Sequence, residues 1–379
     1  MLNFSLHYPV MSSSIAPPQQ TQRLLSLDFM RGFIMVLLAL ESAGLYEDFS
    51  IATKDTGLNF LTRQFFHHPW NGLHFWDLIQ PGFMFMAGVS MAYSLHRQYE
   101  SGADWGQSFR KTLRRCFWLF FWGVLDYAVR PNGLSFELWD VLTQLSFTTL
   151  IAFLIFRWNA RNQIFFCAAL LLLTEILYRF THVPNFDQPF TDQHNFGNYV
   201  DLLLMNKINK GGWVAINCIP TSVHTIAGCL VGKLLISGKE KIKPLLGWGI
   251  CCLVLGYGLD IIHLTPIIKR IATSSFTLVS LGWCLLGIAF CYWWIDLKDH
   301  RKYLKFFIIV GMNSLFLYLF FEIVGDRWFT AYMGEITNGL LGLAHTPEIL
   351  KLFISSLAVF FIEWLLCYFL YTKKIFIRL

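Results

Sequence analysis

Charge is scarce in this sequence. Asp, Glu, Lys and Arg together make up only 14% of its residues, against about 25% in an ordinary soluble domain. Paired cysteine motifs are missing too. The nine cysteines form no CxxC, and most stand inside apolar runs, where a thiol serves as a small buried hydrophobe, so zinc ligation and a redox pair are not expected. No Gly-rich nucleotide loop follows a strand, and Walker A, HExxH and serine-hydrolase elbow patterns are absent. The N-terminus lacks a signal-peptide pattern: its first apolar run begins near Leu27 without a small-residue cleavage site, so it reads as a retained helix.

Apolar and aromatic surface is abundant. Hydrophobic residues reach 55%, with 37 Phe, 14 Trp and 14 Tyr, more than a soluble chain of this length needs to fill a core. About ten stretches are long enough to cross a bilayer, which takes about twenty residues each. They fall at 25–46, 73–95, 111–128, 138–156, 162–180, 213–236, 244–262, 273–295, 303–324 and 350–372. The Gly-rich stretch 331–346 reads as an interfacial or re-entrant segment. The expected fold is therefore all-α: a polytopic helical bundle, one domain over 25–372, with short tails at 1–24 and 373–379. Lys and Arg fall about two to one on the side holding both tails, led by Arg110, Lys111, Arg114 and Arg115, which places both termini in the cytoplasm. The net charge of +6 is thus a matter of orientation, and a nucleic-acid partner is not expected. The two longest loops, 47–72 and 181–212, lie on the outer side.

Polar residues at membrane depth are costly and mark function or helix contact. Pro69 and Asn71-Gly72 suggest a turn leading into the second span, where His74 and Asp77 lie one helical turn apart and Pro81-Gly82 bends the helix early. A histidine beside such a bend suits general-base work, since its pKa lies near neutrality; a structural hydrogen bond at the interface is the plainer alternative. Asp28 and Arg31, three apart, suit an ion pair or an anionic ligand. Asn217 and His224 form a polar stripe that either lines a cavity or joins helices, with Gly228 and Gly232 permitting close contact. Ser274 caps a helix or lines a cavity mouth, and Asn313 lies deep enough to need a partner.

Four stretches carry a resemblance. Ser26-Leu27-Asp28-Phe29-Met30-Arg31-Gly32 is similar to an SLDxxRG opening. His67 through Gly88 shows a histidine, then Trp70-Asn71-Gly72-Leu73, then Asp77-Leu78. Ile219-Pro220 leads to Gly228 and Gly232. Gly311-Met312-Asn313-Ser314 is followed by Tyr318 and Glu322. In this order and spacing the chain resembles the heparan-alpha-glucosaminide N-acetyltransferase family of membrane acyltransferases, and within it the bacterial branch. The resemblance implies transfer of an acetyl group from cytoplasmic acetyl-CoA, or another acyl-CoA, to a sugar or glycan on the far side of a bacterial inner membrane. No metal is expected, membrane lipids surround the chain, and a homodimer is compatible because the family includes dimers. The family's active histidine falls on His67, with Asn71 and Asp77 in the same motif. Asp28 and Arg31 match the opening, whose Arg suits the anionic CoA end; Asn217, His224, Ser274 and Asn313 complete the candidate donor site. The family's large amino-terminal luminal domain has no counterpart in the residues before the first span. Ser42 stands where the family shows Asn, and Gly211-Gly212-Trp213-Val214 replaces an Asp-Pro-Glu-Gly, so a cell-envelope sugar is a more natural acceptor than heparan. A transporter of a small polar molecule or glycolipid is the competing expectation; it requires broken helices near the midplane.

Overall fold

The structure, a computed structural model, describes residues 24–130, 133–237 and 240–377. The expected N-terminal tail, apart from Leu24, lies outside the described residues, as do Lys239 and Arg378 of the cation count. In chain order the helices are α1 (Leu25–Ser42), α2 (Leu45–Thr53), α3 (Asn59–Thr62), α4 (Ile79–Glu100), α5 (Trp105–Ala128), α6 (Val141–Ile155), α7 (Ala160–Phe180), α8 (Phe196–Met205), α9 (Cys218–Ile236), α10 (Ile242–Ile261), α11 (Ser274–Cys291), α12 (Leu304–Met312), α13 (Ser314–Phe320), α14 (Thr330–Leu343) and α15 (Glu348–Thr372). The described strands are a two-residue antiparallel ribbon, Val129–Arg130 with Gly133–Leu134, between α5 and α6.

The chain is an all-α polytopic bundle. Among the described residues, six helices are long and apolar enough to cross a membrane, and eight if each of two bent pairs counts as one span. The bent pairs are α1 with α2, at 65°, and α12 with the helical run Ser314–Leu343, at 72°. The other two expected spans fall on α5, whose first half carries the Arg110–Arg115 cations, and on α6, whose 15 residues extend only about 22 Å. The stretch 331–346 is mostly helix: α14 continues from α13 through a π-turn at Phe321–Phe329. Pro81 and Pro220 each lie in the first turn of their helices, where a missing N–H costs nothing. The helical run Phe75–Glu100 counts as one span, its opening turn Phe75–Leu78 wound as a 3-10 helix and the α-helix beginning at Ile79, two residues before Pro81.

Burial separates inner from outer helices. The apolar windows of α4 and α9 are 61% and 67% buried, against 22% for α7 and α10 and 17% for α15. The exposed faces of those outer helices carry Leu, Ile and Phe, as a lipid-facing surface requires. At the centre, α4 and α9 touch backbone to backbone. A Cβ on Gly88 would lie 2.0 Å from the Thr225 carbonyl oxygen, and one on Gly228 2.1 Å from that of Phe85. Between the inner helices the polar groups find one another: His224 Nε2 lies 2.8 Å from Ser280 Oγ, and Thr225 bonds Thr148. The loop 181–212 is also tied down. Asp201 on α8 accepts from the Trp139 indole N–H at 3.0 Å and the Ala215 backbone N–H at 2.9 Å, joining the loop to the starts of α6 and α9.

Because the α4–α9 contact has no room for a side chain, Gly228→Leu is expected to lower stability by about 1–3 kcal/mol, the usual cost of overpacking. Thermal unfolding in detergent measures it. Gly247→Ala, at a position with no neighbouring atom within 4 Å, serves as the neutral control.

Candidate functional site

Two polar regions occupy opposite ends of the bundle. The first forms where the turn before α4 meets the loop between α10 and α11. Gly72, at φ +144° and too close to the His68 ring to carry a Cβ, donates its N–H to the Ile267 carbonyl at 2.8 Å. That bond fixes the turn 67–74 against the loop that supplies Lys269. Asp77, 1% exposed, is the hub. Its Oδ2 accepts the backbone N–H groups of His74 at 2.9 Å and His68 at 3.2 Å. Its Oδ1 lies 2.9 Å from His67 Nδ1 and 3.7 Å from Lys269 Nζ.

Lys269 Nζ also approaches His67 Nδ1, at 3.1 Å. An imidazole nitrogen has one in-plane position, and the closer carboxylate oxygen claims it as acceptor of Nδ1–H. That leaves the Nε2 lone pair unused by the clamp. The side chain is 38% exposed, and Trp213 lies edge-to-face against the ring at 5.5 Å. Burial, and then the Lys269 charge, push the His67 pKa below its ordinary value, outweighing the opposite pull of Asp77. Lys269 in turn is pushed down to about 8 by burial, with Asp77 and Glu41 opposing. The imidazole is therefore neutral at pH 7 and the ammonium is still charged.

The second region is a cavity of about 600 Å³, inside the size range of ligand pockets. Its walls include Asp28 and Arg31 at the start of α1, Arg97 at the end of α4 and Arg115 on α5. Arg31 Nη2 donates to Ser90 Oγ at 2.6 Å. Ile79 and Arg97 are separated by about 27 Å along α4, and Ile79 and Ser90, the partner of Arg31, by about 17 Å, so the cavity runs from the far end of α4 towards the middle of the bundle. The cavity extends inward to Val141, Leu142 and Tyr318. The Tyr318 hydroxyl there donates to Asp140, the N-cap of α6, at 2.8 Å. Gln80, one turn before the lining residue Phe83, bonds Gln144 at 2.6 Å. His67 is not among the lining residues, so the cavity does not reach the imidazole in this conformation.

Of the residues singled out in the sequence, His67 and Asp77 come together at one end and Asp28 and Arg31 at the other. Asn71 is exposed on the turn beside His67. Asn217, His224, Ser274 and Asn313 are not among the cavity-lining residues. Asn217 bonds the Arg270 carbonyl, Ser274 bonds the Leu171 carbonyl, and His224, fully buried, joins α9 to α11. The Asn313 amide bonds the Ile375 carbonyl and its oxygen accepts from the Ile377 N–H. Lys269, Arg97 and Arg115 were legible only as loop and flank cations; the structure gives them positions in the two sites.

The family profile described as heparan-alpha-glucosaminide N-acetyltransferase, catalytic, matches residues 23–246, more than half of the chain. No curated protein matches the chain significantly.

The Lys269 charge is one cause of the lowered His67 pKa, so Lys269→Met is expected to raise that pKa. NMR titration of labelled histidine checks this: the His67 midpoint lies below about 6.5 in the wild type and higher in the variant. An unmoved midpoint removes Lys269 as a cause.

Proposed function

The chain belongs to the heparan-alpha-glucosaminide N-acetyltransferase family, and from this premise we propose how a membrane acetyltransferase of this architecture works. The donor is acetyl-CoA, its anionic nucleotide end held by Arg31, Arg97 and Arg115. The acceptor is an amino or hydroxyl group of an extracytoplasmic sugar or glycan, delivered at His67. One observation carries the reading: a carboxylate holds His67 Nδ1 at 2.9 Å, at the end of the bundle opposite an arginine-lined cavity.

The donor cavity fits its proposed occupant in charge. Three guanidinium groups line it, and arginine is the side chain best suited to phosphate. Keeping the phosphates there avoids moving them through hydrocarbon, while the uncharged pantetheine arm extends along the cavity towards Tyr318. Both termini then lie in the cytoplasm, residues 25–372 act as one transferase domain in a bacterial inner membrane, and the loops 47–72 and 181–212 frame the outer entrance.

At the far end, Asp77 keeps the proton on Nδ1 so that Nε2 presents its lone pair. As general base, Nε2 takes the proton from the acceptor while the acceptor's nitrogen or oxygen attacks the thioester carbon. The C–S bond breaks, and the thiolate leaves to be protonated. Nε2 is also the nitrogen that would carry the acetyl group if transfer passed through an acyl-histidine. Asn71, exposed on the adjoining turn, is the nearest of the three candidate asparagines in sequence to His67 and supplies a donor for the developing oxyanion. The closed stretch between Tyr318 and His67 requires a movement that opens the Gln80–Gln144 contact during turnover.

Purified protein incubated with radiolabelled acetyl-CoA and a panel of amino sugars tests the reading. Label transfer by the wild type, and a fall of about 10²–10⁴-fold in His67→Ala, is the effect expected for loss of a general base. Normal transfer by a folded His67→Ala variant removes the assignment. Because the neutral imidazole is the active form and its pKa is lowered, wild-type kcat/KM is expected to stay flat down to about pH 6.5 and to decline only on further acidification.

A further inference from the structure

A third set of charged residues has no role in either site. Glu41 near the end of α1, Glu322 and Asp326 on the π-turn, and Glu363 in α15 form one electrostatic group. Glu41 interacts with Asp326 and with Lys269, Glu322 with Asp326 and Glu41, and Glu363 with Asp326. Ser42 Oγ donates to Asp326 Oδ1 at 2.9 Å. Gly325 sits among them: a Cβ there would lie 3.2 Å from Ser42 Oγ and 3.6 Å from Glu363 Oε1. Ser42 Oγ and Glu363 Oε1 thus flank Gly325.

Glu363 is 0% exposed, and among the described residues neither of its carboxylate oxygens has a hydrogen-bond partner. A carboxylate buried at membrane depth with nothing to bond is costly, and such residues face substrate or ion pathways. The backbone that brings Glu322 and Asp326 here is a π-turn, a strained form of helix that recurs at functional sites. Of the nearby cations, the Arg327 guanidinium donates to the Asp126 carbonyl at 2.9 Å, and Lys269, 3.1 Å from His67, also interacts electrostatically with Glu41. Asp326 is exposed and Glu41 is half-buried. Glu41 and His67 each interact electrostatically with Lys269.

We propose that Glu41, Glu322, Asp326 and Glu363 bind the ammonium form of the acceptor, drawing in cationic amines and turning away sulfated or phosphorylated glycans. This rests on His67 as base. The bound ammonium gives one proton to His67 Nε2, and its nitrogen then forms the C–N bond. A second proton ends on the departing thiolate as the C–S bond breaks, so each turnover releases one proton net. Acceptor charge thus becomes a determinant of specificity separate from the reacting imidazole.

The test uses the full chain in detergent with radiolabelled acetyl-CoA and three acceptors: glucosamine, glucosamine 6-sulfate and an aromatic amine that is uncharged at pH 7. Glu363→Gln and, independently, the exposed Asp326→Asn are expected to raise KM for glucosamine by about tenfold or more, the scale of one lost charge-assisted bond. That rise should exceed the rise for the uncharged amine at least about fivefold, and the preference for glucosamine over its sulfate should shrink. Equal KM changes for charged and uncharged amines, or none in either variant, overturn the proposal. Glucosamine binding without donor, read as a thermal shift, separates this inference from the base assignment. A shift kept in His67→Ala but lost in Glu363→Gln supports the ammonium site even if transfer fails. A shift given by sodium ion alone, lost in Glu363→Gln and not reproduced by glucosamine, assigns the carboxylates to an inorganic cation and overturns it.

Discussion

The Asp77 carboxylate is the fixed point of the histidine end. Four groups converge on its two oxygens: two backbone N–H groups, an imidazole and an ammonium. The backbone donors come from the turn 67–74 itself, so the same carboxylate that orients the ring also closes the loop bearing it. A 1% exposed anion persists only with such a set of partners. Shortening or neutralising this side chain would release ring, turn and lysine together. Orienting the ring and closing the turn are therefore one interaction seen from two sides.

The rest of the bundle keeps two charged ends apart and holds them steady. Close glycine contacts give α4 and α9 a rigid seam, and α4 connects the two ends directly, from Asp77 just before its start to Arg97 near its end. Movement is then expected at the built-in breaks rather than in this seam. The chain bends by 65° after α1 and by 72° at Asn313, and α1, α12 and α13 each contribute residues to the cavity wall. A rigid α4–α9 core flanked by jointed helices is an arrangement that can open a passage without unfolding a span.

Hydropathy made the bundle readable, because each long apolar run had no other way to be satisfied. His67 and Asp77 were readable as a motif, and Asp28 and Arg31 as an opening, because their spacing along the chain is short and local. What escaped was long-range. Lys269 is 202 residues from His67 in sequence and looked like an ordinary loop cation. Arg97 and Arg115 counted towards orientation, which a positive residue satisfies equally well from inside a cavity. His224 looked like a cavity residue because a polar group in an apolar helix is rare, yet a serine on α11 suffices to bury it. The position of Pro81 could not be fixed to within one turn, and one turn decides whether proline breaks a helix or begins it.

The Asn313 side chain grips the backbone at Ile375 and Ile377, and Ile377 is part of the cavity wall beside Leu24 and Arg97. The stretch at Ile375 and Ile377 is thus a piece of masonry in that chamber. Anyone attaching an affinity handle or a fluorescent partner just beyond Ile377 would be building on the rim of that chamber.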